Sequence, residues 1–419
     1  MGIVTALRWG TWRAWGDMAA ETAGPTPEDG VPSELTAVVV VHGMGEKHPM
    51  ETLDDFAKTA LRPHSAHGDK RWDYSSRPVE ITDSYEARRF DSAPAEIYEY
   101  HWSYLMTADK YAGAMPMALR LFLRRPSNVP DALLGIWRRV WTVTAALLLA
   151  IPALFVAGYA LNTDVPVWII GLITSAVVLV FWFGLYRMAA KALVNSTTTA
   201  LVDVARYLDP SPYSYVARRA IRGGLVDLLR SLHDGRYARI VVVAHGVGTY
   251  ISYDALTAFW AETHLRRQGH PWRITDFVTI GAPMALADLL VTRPGLFSGF
   301  KKSDGALRRE LFEGLVRRGA LVRCPPPPEP LHIDSDEHSP FAVTRWTNLW
   351  FPVTRGSLHG DWFGGAVRPL FGGGIRDIAV EGNQPERFKR GSAHNEYFRH
   401  PERDDEGDVA WHLRETLAL

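Results

Sequence analysis

The segment Arg239–Leu256, RIVVVAHGVGTYISYDAL, is where residue type and spacing say most about chemistry. An apolar strand runs straight into small-x-x-x-small, Ala244-His245-Gly246-Val247-Gly248, and then into a helix. Small residues permit a very sharp turn, which exposes its middle residue at the carboxyl end of a sheet. The N-terminus of the following helix favours negative charge developing beside it. Such a site suits nucleophilic attack on a carbonyl. The middle residue here is Gly246, which has no side-chain oxygen, so the acyl-enzyme route is closed at that position. Glycine is also at ease in the strained backbone that the turn imposes.

This strand–turn–helix resembles the nucleophile elbow of the α/β-hydrolase-fold lipases and esterases. The resemblance spans nearly the whole chain apart from a central apolar insertion, and only its motifs are specific. Val41-His42-Gly43-Met44-Gly45 is similar to the His-Gly turn that follows an early central strand in such enzymes. By that resemblance the N–H groups of Met44 and Val247 face one oxyanion, with Gly43, His42, His245 and Gly248 shaping the two turns. Ile280-Gly281-Ala282-Pro283 is similar to a strand-end turn of lipase-like members. The family's chain order then implies Asp361, in LHGDWFGG, as the acid and His394, in GSAHNEYF, as the histidine; Asp377 and Asp288 stay open as acids. No cofactor or metal is implied. Gly246 stands where the family has serine.

Two nearby hydroxyls are the candidates for a replacement nucleophile. Thr249 and Ser252 lie three and six residues past Gly246 on the following helix, and should point into packing. A His394–Asp361 dyad beside an oxyanion hole could activate a water instead. Serine hydrolases stripped of a triad member keep roughly 10³–10⁴-fold catalysis over water, which is slow. The same crevice could equally bind an acyl chain, a lipid or a partner peptide. His42 and His245 adjoin turn glycines, where imidazoles commonly hydrogen-bond backbone. His332, Asp334, Asp336, Glu337 and His338 are ligand types, but their Pro-rich surroundings have no regular spacing to converge them. The mixed-charge runs Asp83–Asp91 and Arg399–Asp408 read as solvated surface. Cys324 has no cationic helix end near it in sequence and reads as structural.

The elements that must position these groups follow from pattern. Thr36–Val41 (TAVVVV) is a continuous β-branched run suited to a strand buried on both faces. Further strands are expected at Glu96–Trp102, Arg239–Ala244, Phe277–Ile280, Arg345–Phe351 and Ile375–Val380. Helices are expected at Tyr213–His233, Gly248–Glu262 and Asp408–Leu417. The alternation argues for an α/β fold, a mostly parallel sheet with helices on both faces. The expected organisation is a Trp-rich segment over 1–35, one domain in two parts over 36–139 and 187–419, and an insertion at 140–186. The Pro-rich stretch 291–344 reads as a long loop or cap.

The insertion sets the class. From Val140 to Leu161 and from Val165 to Tyr186 there is no Asp, Glu, Lys or Arg, 22 residues each time. As helices these are roughly 33 Å long, enough to cross a bilayer. Only Asn162, Thr163 and Asp164 separate them, so a transmembrane helical hairpin is expected. Trp137, Trp141, Trp168, Trp182 and Tyr186 fall near the ends, at headgroup depth. Arg120, Arg124, Arg125, Arg138 and Arg139 precede the hairpin, Arg187 and Lys191 follow it, and the turn carries only Asp164. Positive-inside bias then puts the globular domain in the cytoplasm. Trp9, Trp12 and Trp15 suit either an interfacial helix face or packing on the domain. Two charge-free spans offer no ion path. Across the 419 residues Lys plus Arg and Asp plus Glu both number 46, so no basic field exists to hold nucleic acid. The single cysteine excludes an intramolecular disulfide.

Overall fold

The computed structural model describes residues 35–43, 50–60, 75–78, 86–92, 95–106, 124–160, 212–266, 271–283, 340–353, 359–380, 392–398 and 406–418, with isolated positions between them. Met44, Asp288, the three N-terminal tryptophans, the His332–His338 cluster and nearly all of 291–344 lie outside the described residues. So do Trp182, Tyr186, Arg187 and Lys191.

The elements run β1 (Thr36–Val41), α1 (Glu51–Ala60), β2 (Ser75–Pro78), β3 (Glu86–Ser92), β4 (Ala95–His101), α2 (Asp131–Ala160), α3 (Pro212–His233), β5 (Arg239–His245), α4 (Gly248–Arg266), β6 (Ile274–Ile280), β7 (Arg345–Trp350), α5 (Arg368–Phe371), β8 (Arg376–Ala379) and α6 (Val409–Leu417). They build one eight-stranded sheet in the order β2-β3-β4-β1-β5-β6-β7-β8. The six strands from β4 to β8 in that order are parallel, and the β2–β3 hairpin adds an antiparallel margin. The fold is α/β with a mostly parallel sheet.

Every residue of β1 is buried, because successive side chains enter two different cores. Ala37, Val39 and Val41 pack with Leu225 and Leu229 of α3 and with Ile251 and Leu256 of α4. Val38 and Val40 pack on the other face with Leu53, Phe56 and Ala57 of α1 and with Val409 and Leu413 of α6. Helices therefore cover both faces. Each such aliphatic side chain contributes about 1.5–3 kcal/mol of transfer free energy.

β1 pairs in parallel with β4 on one side and β5 on the other, although β4 and β5 belong to opposite sides of the insertion in the chain. Connections leave this pair of neighbours in opposite directions, the topological position beyond the strands' carboxyl ends where open α/β sheets bind ligands. Two elements depart from the sequence expectation. Part of the charged run Asp83–Asp91 is strand β3, one place in from the sheet margin, with Ala87 buried. Helix α1 also forms, with Leu53, Phe56, Ala57 and Ala60 sharing one buried face beneath Glu51, Asp54, Asp55 and Lys58.

Helix α2 begins nine residues before the charge-free run, at Asp131. Its first turns belong to the domain: Leu133 and Leu134 are buried, and Ile136 and Trp137 pack against the same core. Beyond Arg139, Leu148 is 56%, Leu149 69% and Val156 65% exposed. The helix is long and apolar enough to cross a membrane, and Pro152 lies within it. Of the second run only isolated positions are described; Trp168, Leu172, Leu179 and Val180 are helical and exposed. Asp131 lies 3.1 Å from Arg355, in the loop after β7, so α2 starts at the carboxyl-end side of the sheet.

Candidate functional site: a buried His–Asp pair facing a glycine turn

The turns after β1, β5 and β6 meet at the carboxyl ends of the strands. Gly246 closes β5 with φ +53°, and its N–H donates to Ile280 O at 2.9 Å. A Cβ on Gly248 would lie 2.6 Å from Val41 O and 2.8 Å from His42 O. The β5–α4 turn is thus pressed onto the β1 turn so closely that only glycine fits. Val247 stands at the mouth of α4, where the first N–H groups have no helix carbonyl to bond. Its own N–H meets no acceptor among the described residues. Met44, expected to supply the second oxyanion donor, lies outside them.

Asp361 and His394 lie side by side. His394 Nδ1 lies 2.9 Å from Asp361 Oδ2, and both side chains are buried. Asp361 Oδ2 also accepts from the Tyr397 hydroxyl at 2.7 Å, and Oδ1 from Phe363 N–H at 2.9 Å. Burial alone would push this carboxyl up; the facing His394 ring, the Gly364 N–H and the Tyr397 hydroxyl outweigh it and hold Asp361 below the usual carboxylate range. Tyr397 is pushed well above a normal phenol by burial and by the Asp361 charge, so it stays a donor. A carboxylate can only accept, so Nδ1 of His394 carries the hydrogen. In the neutral ring Nε2 is then the lone-pair atom. That Nε2 is buried without a hydrogen-bond partner among the described residues. It is the nearest atom, at 3.0 Å, to a Cβ placed on Gly246.

Other side chains hold this pair in place. His245 donates from Nε2 to His394 O at 2.9 Å, with its ring stacked 4.9 Å from the His394 ring. Asn348 donates to Gly365 O at 3.0 Å and to Asp377 Oδ1 at 2.7 Å. Asp377 in turn accepts from Val367 N–H and Arg368 N–H. Asp377 therefore braces the loop that carries Asp361 and does not face His394. His42 does not join the pair: Nδ1 donates to Gly43 O, Nε2 accepts from Trp102 N–H, and its carbonyl accepts from Trp102 Nε1. Glu99 accepts from Met50 N–H at 2.6 Å and so fixes the far end of the same turn.

Sequence reasoning missed Tyr397, Asn348, Trp102 and Glu99. Only Tyr397 left a signal, three residues after His394 in GSAHNEYF. Thr249 and Ser252 are buried with no hydrogen-bond partner among the described residues, so neither hydroxyl reaches His394 Nε2. The Cys324 thiol lies 3.7 Å from Phe341 O, and burial pushes it up to about 12. A comparison of the chain with family models, curated proteins and solved structures found no match. Chemically, the geometry offers an oriented imidazole acceptor facing the Cα of Gly246 at the start of a helix, with no nucleophile at that position.

Proposed function

We propose that this is a membrane-anchored protein of the α/β-hydrolase type whose serine nucleophile is replaced by Gly246, and that its crevice binds a lipid, an acyl ester or a protein partner. The observation that carries the reading is His394 Nε2, oriented by Asp361 and aimed at the Cα of a positive-φ residue between strand and helix. The two charge-free runs and their basic flanks support a two-span anchor with the globular domain in the cytoplasm. Departure of α2 from the carboxyl-end side of the sheet favours a crevice held near the bilayer, and hence a ligand with an acyl chain. Fold type alone names no substrate.

The test is hydrolysis of short- and medium-chain aryl esters by the purified, detergent-solubilised protein, beside Gly246→Ser, His394→Ala and the double variant. The reading expects a silent native chain and a Gly246→Ser variant about 10²-fold or more above it, abolished by His394→Ala. The gain is limited because a Cβ at Gly246 stands only 3.0 Å from Nε2, so the ring must withdraw by a few tenths of an ångström. The unpartnered acceptor also supports a second reading, an active hydrolase in which His394 and Asp361 activate water. That reading expects the native chain to hydrolyse and His394→Ala alone to stop it.

A further inference from the structure

We infer that the start of α3 and the turn after β4 form a surface that lies on the anionic headgroup layer of the membrane. The inference rests on the anchor reading above and adds the partner that the domain's own surface meets. Among the described residues outside 131–186, the large apolar or aromatic side chains that stand exposed are Tyr104, Tyr215, Val216 and Val343. Three of the four belong to one place. Tyr104 is in the turn Ser103–Met106, which follows β4 at the carboxyl end of the sheet and touches α3. Tyr215 and Val216 are in the first turns of α3, roughly 8 Å along the helix from Ile221. The Ile221 carbonyl accepts from the Tyr100 hydroxyl near the end of β4, which fixes this half of α3 at the carboxyl-end side. The other end of α3 is remote: His233 accepts from Arg273 N–H, just before the amino end of β6.

Charge names the occupant. Over 212–224 the chain carries Arg218, Arg219 and Arg222 and no Asp or Glu. The Arg218 guanidinium stands 5.7 Å over the centre of the Tyr215 ring, so a cation and an aromatic face are presented together, with Val216 and Arg219 exposed beside them. At a headgroup layer the ring and methyl groups enter the acyl boundary while the guanidinium groups meet phosphate. The root of α2 repeats the composition: Arg138 and Arg139 are exposed one turn before the exposed Trp141, about 10 Å along the helix from Asp131. That root also lies on the carboxyl-end side, through the Asp131–Arg355 pair, and its Leu133 and Leu134 enter the same core as Ile221 and Leu225 of α3. The bilayer that takes the insertion is thereby brought to the side where α3 presents its patch. Arginines select an anionic leaflet over a zwitterionic one, each favouring contact roughly fivefold.

The test uses the full-length protein reconstituted into phosphatidylcholine vesicles, with or without about 30 mol% phosphatidylglycerol. Val216→Cys carries an environment-sensitive fluorophore, and Asp234→Cys, exposed just past the other end of α3, is the control. The native chain, whose Cys324 is buried, is the labelling blank. In the anionic vesicles a lipid with a nitroxide on its headgroup should quench the label at 216 about twofold or more beyond the label at 234. That excess should shrink in phosphatidylcholine alone and in the variant that adds Arg218→Gln and Arg219→Gln. Equal quenching at 216 and 234, in vesicles that retain the protein through a carbonate wash, overturns the inference and leaves the anchor standing. An excess that is the same without phosphatidylglycerol also overturns it, because contact then owes nothing to charge. A label at 216 that is blue-shifted but unquenched puts a protein, such as a second copy, on the patch and overturns it as well. Loss of the protein from the washed vesicles overturns the anchor and the docking together.

Discussion

At the scale of single residues, two glycines make opposite predictions from the same substitution. Gly248→Ala puts a methyl 2.6 Å from one backbone oxygen and 2.8 Å from another, and backbone cannot swing aside. Overpacking of that kind should cost about 2 kcal/mol or more. Gly223, inside α3, has nothing within 4 Å of a Cβ, so Gly223→Ala should gain about 0.5–1 kcal/mol from the helix propensity of alanine. Denaturant unfolding of the two variants against the native chain checks both signs. Asp361 gives a pH prediction. Its pKa is lower folded than unfolded, so its contribution is complete above the unfolded value near 3.9 and is lost as pH falls through the depressed one. The stability gap between the native chain and Asp361→Asn should therefore not narrow between pH 8 and about pH 5 and should close only below about pH 4. A gap that narrows already between pH 7 and 5 would contradict the hydrogen-bonded carboxylate.

At the scale of elements, α2 separates two kinds of exposed leucine. Leu149 is 69% exposed near the middle of the charge-free run. On a water-facing helix Leu149→Lys should change stability by no more than about 0.5 kcal/mol. In a bilayer the same lysine sits at mid-depth and costs about 2.5–3.5 kcal/mol. Fractionation of cells carrying the variant should show reduced membrane retention; unchanged retention argues against a span. The elements that were legible in sequence share one cause. β1, β5 and β6 are buried on both faces, so β-branched runs betray them, and Gly246, Asp361 and His394 sit in turns with recognisable neighbours. α1 was illegible because it buries one face and spends its other positions on charge, and β3 because four of its seven residues, Glu86, Arg88, Arg89 and Asp91, are charged. Asn348, Trp102 and Glu99 act through partners 17 to 60 residues away, and no local pattern encodes such contacts.

At the scale of the whole molecule, the sheet is assembled across the insertion. Six residues of β1 pair with β5 in parallel register, and their side chains enter cores that draw helices from both halves of the chain. Covalent continuity through residues 162–164 is therefore not what holds the halves together. A protease site inserted into the Asn162-Thr163-Asp164 turn should be cleavable with the two fragments still co-purifying in detergent, and separating only in denaturant. The same variant reports topology. If the charge-free runs form a two-span hairpin with its basic flanks in the cytoplasm, protease added to intact spheroplasts should cut the turn and leave the globular domain whole. In inverted membrane vesicles the turn should be protected while loops of the domain are cut. Cleavage of the turn from the cytoplasmic side would place it beside the domain and remove the anchor, and with it the geometric reason for expecting an acyl ligand; the contacts among the described residues that build the His394–Gly246 site all lie within the domain and would stand.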